Sequence, residues 1–400
     1  MTNDASRGHR VARARRRRGM TQHQLAAAMG RSVSWVSQVE RGIIGVDRVS
    51  VLDRLARVLQ VEGVELTGQP YRHEQPDLDS GHDAIPALRL AVQHARMPNI
   101  GTSRGDATRT IGDLRIDVEH AEQLRQEAAF SALGAVVPGL IEEATAARRQ
   151  ESADGGRDEL GLLLVRLGHI ARVTADLTGH HDLAWTACEL EITTARELGS
   201  PAALAAATWD LCGVWLHSGA HADARDAALS GIATLDGYVG RDPELTALAA
   251  ALHLRAAVAY SRLWAEPDVN YHLAQAAALA PASGNTWQTQ ANQPNVRLHA
   301  LETAVEMGRP SDARGFANAV RVDQLPARER QTHYWTVCAR SAGMNGRLND
   351  ALDAILRAER LAPAHVHNRP MARDLVADLL HRDRRGDQRL RALARRMAVV

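Results

Sequence analysis

The chain contains no lysine; all 48 of its basic side chains are arginine. That removes the ammonium group on which a P-loop, a Schiff-base enzyme or a protein kinase depends. Cysteine is nearly as scarce. Cys188, Cys212 and Cys338 are odd in number and far apart, so neither a disulfide framework nor a C-x-x-C metal pair follows. A reducing, cytoplasmic setting is the matching expectation. No apolar run reaches membrane-spanning length, and Arg15–Arg18 is followed by Gly-Met-Thr-Gln-His-Gln, which is no signal-peptide core. Strand-like alternation is missing throughout. So are an HExxH pair, paired carboxylates with a cleft and a Cys/His pair, and the expectation is a protein that is not an enzyme and holds no cofactor and no metal. One fragment, Gly101-Thr-Ser103-Arg-Gly105, matches the G-x-S-x-G of serine hydrolases. A nucleophile elbow needs a strand before it, and Pro98 and Asn99 interrupt any such strand.

What the chain does have is a charge asymmetry. The net charge is +1, yet residues 1–70 carry twelve Arg against six Asp and Glu, while the remainder carries 36 against 41. A basic end on a mildly acidic body fits nucleic-acid contact at one end.

That end is organised around residues 21–42. Thr21 can cap a helix through its hydroxyl, and Leu25, Ala26 and Met29 then share one helical face. Gly30 suits the left-handed stop. Ser32 can cap a second helix that carries Val33, Val36 and Val39 inward and ends at Gly42. Two short helices joined by such a turn make a helix-turn-helix, whose second helix enters the DNA major groove. A helix over about Gly8–Arg18 precedes it, and Ser50–Leu59 reads as the helix that follows, with Val51, Leu52, Leu55, Ala56 and Leu59 as its apolar stripe.

The pattern Thr21-Gln22, Leu25-Ala26, Gly30, Ser32, Val36-Ser37 and Glu40 followed by Gly42 resembles the Cro/XRE family of phage-repressor-like regulators, with Arg31 where that family usually has a small apolar residue. The resemblance implies a role for each matching position. Arg15 pairs with Glu40 and stands behind a phosphate. Gln22 contacts phosphate and props the recognition helix. Val33, Ser34 and Gln38 reach base edges, where Gln can give a bidentate pair to adenine, Ser can bond either way and Val can touch a thymine methyl. Arg48 lies near the phosphates. Ser32, Ser37 and Arg41 complete the candidate DNA-contacting set. Trp35 has two readings, a buried aromatic or one packed over the sugar-phosphate backbone.

From Gly68 to Asp83 the composition turns to Gly, Pro, His, Asp and Glu, and Ile85–Gln93 forms a single amphipathic helix before another loop at 98–106. The chain thus divides into a helix-turn-helix domain (1–67), a linker with one helix (68–106) and a large helical body (107–400). In the body, Gly recurs with Ala five residues later at Gly179/Ala184, Gly219/Ala224, Gly308/Ala313 and Gly346/Ala351, with a degenerate unit near Trp264. A period of about forty residues is that of a solenoid of helical hairpins. Each hairpin leaves an apolar face that only its neighbour can cover. This part resembles tetratricopeptide-like repeats over roughly 158–400. The fold expectation is all-α: a small helix-turn-helix domain followed by an α-solenoid.

A solenoid's concave groove normally binds something. The candidates are Asn295, Arg297 and Arg340; in the repeat-bearing regulators that the chain resembles, groove Asn and Arg hold peptide backbones. His180-His181 and His365/His367 lack a third ligand at helical spacing and read as structural. The function expected is a sequence-specific transcription regulator binding a palindromic duplex operator as a homodimer, its repeats sensing a peptide or small-molecule effector. The alternative is a scaffold whose repeats hold a protein partner that the DNA-binding domain localises. No membrane partner is expected.

Overall fold

The computed structural model describes residues 7–46, 48–71, 81–97, 109–384 and 386–399; the G-x-S-x-G fragment lies outside them. Among the described residues every regular element is a helix. The first five form a small head: α1 (Arg7–Arg17), α2 (Gln22–Met29), α3 (Val33–Glu40), α4 (Val49–Leu59) and α5 (Gly63–Thr67). Their core is Val11, Leu25, Met29, Val36, Val39, Leu52, Leu55, Leu59 and Leu66, all buried. Thr21 accepts from the backbone N–H of Gln24, whose side chain accepts from Thr21 N–H, and Gly30 closes α2 in the left-handed region at φ 63°. The capping box and the αL stop together fix the length of α2.

The body begins earlier than its repeat spacing suggests. α6 (Ile85–Arg96) buries Ile85, Leu88, Ala91 and Val92 in one core with Leu133, Val137, Leu140 and Ile141 of α8 (Phe130–Gln150). The expected linker helix is therefore the first helix of the stack. α7 (Ile111–Gln126) and α9 (Asp154–Thr178) pack on α8, and α10 (His181–Leu198) returns along α9. Hairpins follow in order: α11 (Pro201–His217) with α12 (His221–Leu235), α13 (Pro243–Arg262) with α14 (Glu266–Leu279), α15 (Gln293–Glu306) with α16 (Pro310–Ala319), and α17 (Arg328–Met344) with α18 (Leu348–Leu361). A short α19 (Pro363–His367), α20 (Pro370–Arg382) and α21 (Gln388–Arg396) end it.

The repeat has a physical basis in its turns. Gly219 takes φ 79° between α11 and α12, and Ala224 is fully buried one turn into α12. In the degenerate unit Trp264 adopts the same left-handed turn, at φ 65°, and buried Val269 stands in for the alanine. The backbone geometry is kept although an indole replaces a hydrogen, at a cost of order 1 kcal/mol. Pro201, Pro243 and Pro363 each occupy a first helical position, where no N–H is required.

Odd-numbered helices α7 to α17 contact one another in succession, α9 with α11, α11 with α13, α13 with α15 and α15 with α17, and α17 also touches α7. The inner helices thus close a ring of contacts, whose interior is the axial space, and α8, α10, α12, α14, α16 and α18 each pack against a member of the ring.

The far end is held by Glu359 of α18, which accepts from Arg396 of α21 at 2.7 Å and pairs with His367 of α19 at 3.0 Å. Burial pushes this carboxyl up, but Arg396 and His367 outweigh it and bring it down to about 2. A carboxyl depressed in the folded state stabilises above its unfolded value of about 4.3 and loses that contribution as pH falls through the folded value. Thermal stability should therefore fall between about pH 4.5 and 2, and Glu359→Gln should flatten that acid limb in a pH series of melting curves.

Candidate nucleic-acid interface

The head is braced by one buried carboxylate. Glu40, at the end of α3, receives Arg15 Nε at 2.5 Å and Arg15 Nη2 at 2.9 Å, a two-pronged pair, and Gln22 Nε2 donates to it at 2.8 Å. Arg15 Nη1 donates to the Met20 carbonyl at 2.7 Å. Burial pushes Glu40 up, but the bonds from Arg15 and Gln22 leave it below the ordinary carboxylate value. One ionic cluster thus ties α1, α2 and the loop between them to the end of α3. Arg15 is 9% exposed, so it braces the head and is not itself a surface cation.

That brace sets α3 with its outer side in solvent. Ser32 caps it, accepting from Trp35 N–H at 3.1 Å. Val36 and Val39 point into the core. Val33 does not join them in the core: as the first residue of α3 it is 41% exposed. Ser34 is exposed, and Gln38 donates to Ser34 Oγ at 2.9 Å, so the two polar side chains present a joined donor-acceptor surface. Ser37 is half-buried and Arg41 exposed, with Arg41 Nε reaching back to the Ser37 carbonyl at 3.3 Å. Trp35 is half-buried against the head core, and the Arg31 guanidinium lies 5.8 Å from its ring centre. Arg13, Arg16, Arg17 and Arg18 are exposed at the end of α1.

Arg48 meets the helical stack. Its guanidinium lies 4.6 Å from the Trp264 ring centre, on the turn between α13 and α14. The cation meets an indole face of the stack, a favourable contact in its own right. The head is docked along the same row of turns. Glu306 of α15 accepts from the N–H groups of Ser50 (3.0 Å) and Val49 (3.4 Å), capping the N-terminus of α4 from outside the head. His221 pairs with Asp53 at 2.9 Å, Gln69 donates to the Asn368 carbonyl at 3.2 Å, and Arg7 pairs with Asp374. Burial raises Glu306, but Arg340 and Arg262, with the Ser50 amide, hold it below its usual value. Because a helix N-terminus carries partial positive charge, a carboxylate placed there holds α4 to the stack.

The groove candidates separate. Arg340 pairs with Glu306 at 3.5 Å and so belongs to this junction. Arg297 is exposed, away from the buried side of α15. Asn295 is 2% exposed on the inner side of α15, one turn before His299, which pairs with the Asn295 carbonyl at 2.9 Å.

The inner helices carry a network that the sequence reading missed. His169 lies 2.6 Å from Asp210, and Arg172 bridges Asp210 (2.5 Å) and Asp176 (2.9 Å). Arg330 pairs with Glu329, and His333 with Glu302 at 3.2 Å. Burial lowers His169 and His365 and leaves both imidazoles neutral at pH 7. Burial and the Asp210 charge raise Glu191 well above the carboxylate range, so it keeps its proton. The signal was present as charged residues three, four or seven apart on helices otherwise built of Leu and Ala, such as His169, Arg172 and Asp176. Each histidine singled out for metal has another partner: His181 and Asp176, His365 and Glu329, His367 and Glu359, with His180 edge-on to His82. Among the described residues no cluster has the makings of a metal site, and no helix is long and apolar enough to cross a membrane.

A family described as a helix-turn-helix domain matches residues 8–67, the span of the head. No curated protein and no solved structure matches the chain.

Proposed function

We propose that the chain is a sequence-specific transcription regulator. Its head reads a palindromic operator as part of a homodimer, and its helical stack senses a ligand and sets how the two heads are placed. The helix-turn-helix match makes DNA-binding regulation the starting point. The observation that carries the finer reading is the outward side of α3, where Val33 and Ser34 stand exposed and Gln38, half-buried, donates to Ser34, on a helix whose other side is locked by Glu40. Arg16, Arg18, Arg31 and Arg41 are exposed on the same head and suit phosphate contact. Because Glu306, Asp53–His221 and Arg7–Asp374 fasten the head to the stack, a change in stack curvature moves the head as a rigid unit. A dimer of such heads needs half-sites about one helical turn, roughly 34–36 Å, apart. A ligand then acts only through different affinity for the two spacings.

Salt titration of duplex binding tests this. The logarithm of affinity should fall linearly with the logarithm of salt, by about 0.9 for each phosphate neutralised. Arg41→Ala should lower that slope by about one while leaving the sequence preference intact. A slope near zero, or light scattering that gives a monomer on the operator, would exclude the reading.

A further inference from the structure

We propose that the axial space of the stack is a binding site for a small anionic molecule carrying carboxylate or phosphate groups, held by Arg125, Arg255 and Arg369. This deepens the sensing reading above and rests on it only for the consequence of binding, not for the site itself.

The three arginines come from different inner elements: Arg125 from the end of α7, Arg255 from α13 and Arg369 from the turn after α19. None has a carboxylate at ion-pair distance among the described residues, and the Nε of each is buried without an acceptor. Arg125 is 4% exposed, and its guanidinium meets only the amide oxygen of Gln288, at 2.7 Å. Arg255 is spread over the Trp209 ring, 3.7 Å from its centre. Gly213 on α11 has no side chain; a Cβ there would lie 3.3 Å from both Arg172 and Arg255, so the glycine leaves room for these two guanidinia. All three lie within electrostatic reach of Arg330, and also of Glu329 (Arg125 and Arg369) or Asp210 (Arg125 and Arg255). The surrounding carboxylates are already committed: Asp210 and Asp176 to Arg172, Glu329 to Arg330, Glu302 to His333. Burial, with Arg172 adding to it, brings Arg255 down to about 10.

A buried guanidinium with no carboxylate bonded to it is costly. An anion in the axial space would neutralise them. Unpaired amide groups near the same wall provide further recognition. The Oδ1 of Asn295, on the inner side of α15, is buried with no donor, and both amide atoms of Gln290 are buried without partners. Gln290 stands in a segment where Trp287, Gln288 and Gln290 all take left-handed backbone angles, at φ 49°, 60° and 57°. Non-glycine residues held so cost energy and gather at ligand-clasping segments. This segment is tied to α7 through Gln288, which accepts from both Arg125 and Gln126. Since the inner helices close on themselves, the occupant is a small molecule and not a folded partner laid along an open groove.

The test uses the full chain with citrate and with inorganic phosphate as probes, each against sodium chloride at matched ionic strength. Melting temperature and tryptophan emission, which includes Trp209, are followed. The expected result is a saturable rise in melting temperature, about 4 °C at a hundredfold excess over Kd, for one or both probes. The Arg125→Gln/Arg255→Gln double variant should melt no lower than wild type without anion and should lose the anion-dependent rise. Arg369→Gln alone should weaken the probe at least tenfold, which covers the case where the double variant fails to fold. Citrate alone acting would identify a carboxylate site, and phosphate alone a phosphate site; either upholds the proposal. A rise no larger than chloride gives, or an equal rise in folded double variant, overturns it. If the anion binds but operator affinity stays constant, the site stands and the sensing reading falls.

Discussion

Asp210→Ala should be the most damaging single substitution in the stack. Asp210 is 1% exposed and pairs with Arg172 at 2.5 Å, with His169 2.6 Å away. Truncation leaves a buried guanidinium with one carboxylate instead of two, and an imidazole with none. Removing one partner of a buried pair costs roughly 3–5 kcal/mol. At about 1.5 °C per kcal/mol for a helical body of this size, the melting temperature should fall by about 6 °C. The adjacent Glu191 gives an internal contrast. It is as deeply buried, but burial and the Asp210 charge keep it protonated. Glu191→Gln replaces one neutral polar group by another of the same shape and should cost less than about 1 kcal/mol. Calorimetry on the two variants checks both. Equal losses would contradict the charge assignment along the inner helices.

The second large effect belongs to the head. Arg15→Ala removes both prongs of the pair with Glu40 and the bond to the Met20 carbonyl, leaving a 6% exposed carboxylate with Gln22 alone. The expected loss is again roughly 3–5 kcal/mol, confined to the head and visible in urea through Trp35. DNA binding should vanish with the fold of the head, for every sequence alike. Arg15→Lys should recover only part of the stability, because an ammonium cannot bond a carboxylate in two parallel contacts. An Arg15→Leu/Glu40→Leu pair should recover most of it by exchanging the ion pair for apolar packing. If Arg15→Ala left the head as stable as wild type and lowered only DNA affinity, Arg15 would be a phosphate ligand and not a brace.

Much of this was legible in the chain because it rests on local rules. The Thr21 cap, the Gly30 stop and the inward spacing of Leu25, Val36 and Val39 are short-range facts, and they place Ser34 and Gln38 on the opposite side. The forty-residue period was visible because turn and close-packing positions recur together, even at Trp264, where the turn residue itself had changed. Three features were not legible. The docking of α4 on Glu306 joins residues more than 250 positions apart and has no local signature. Arg48 looks like any surface cation until Trp264 is brought beneath it. The axial charges are spaced like an ordinary solvated helix side. Only closure of α17 on α7 turns that side inward.

The central claim is that the outward side of α3 reads base pairs. Selection of bound duplexes from a random pool, with the intact protein and with Gln38→Ala, tests it most directly. Wild type should enrich one inverted repeat. Gln38→Ala should lose about 1–3 kcal/mol of discrimination at one symmetric position in each half-site, with its salt dependence unchanged. Recovery of the same repeat by the variant, with the same preference at every position, would contradict the account.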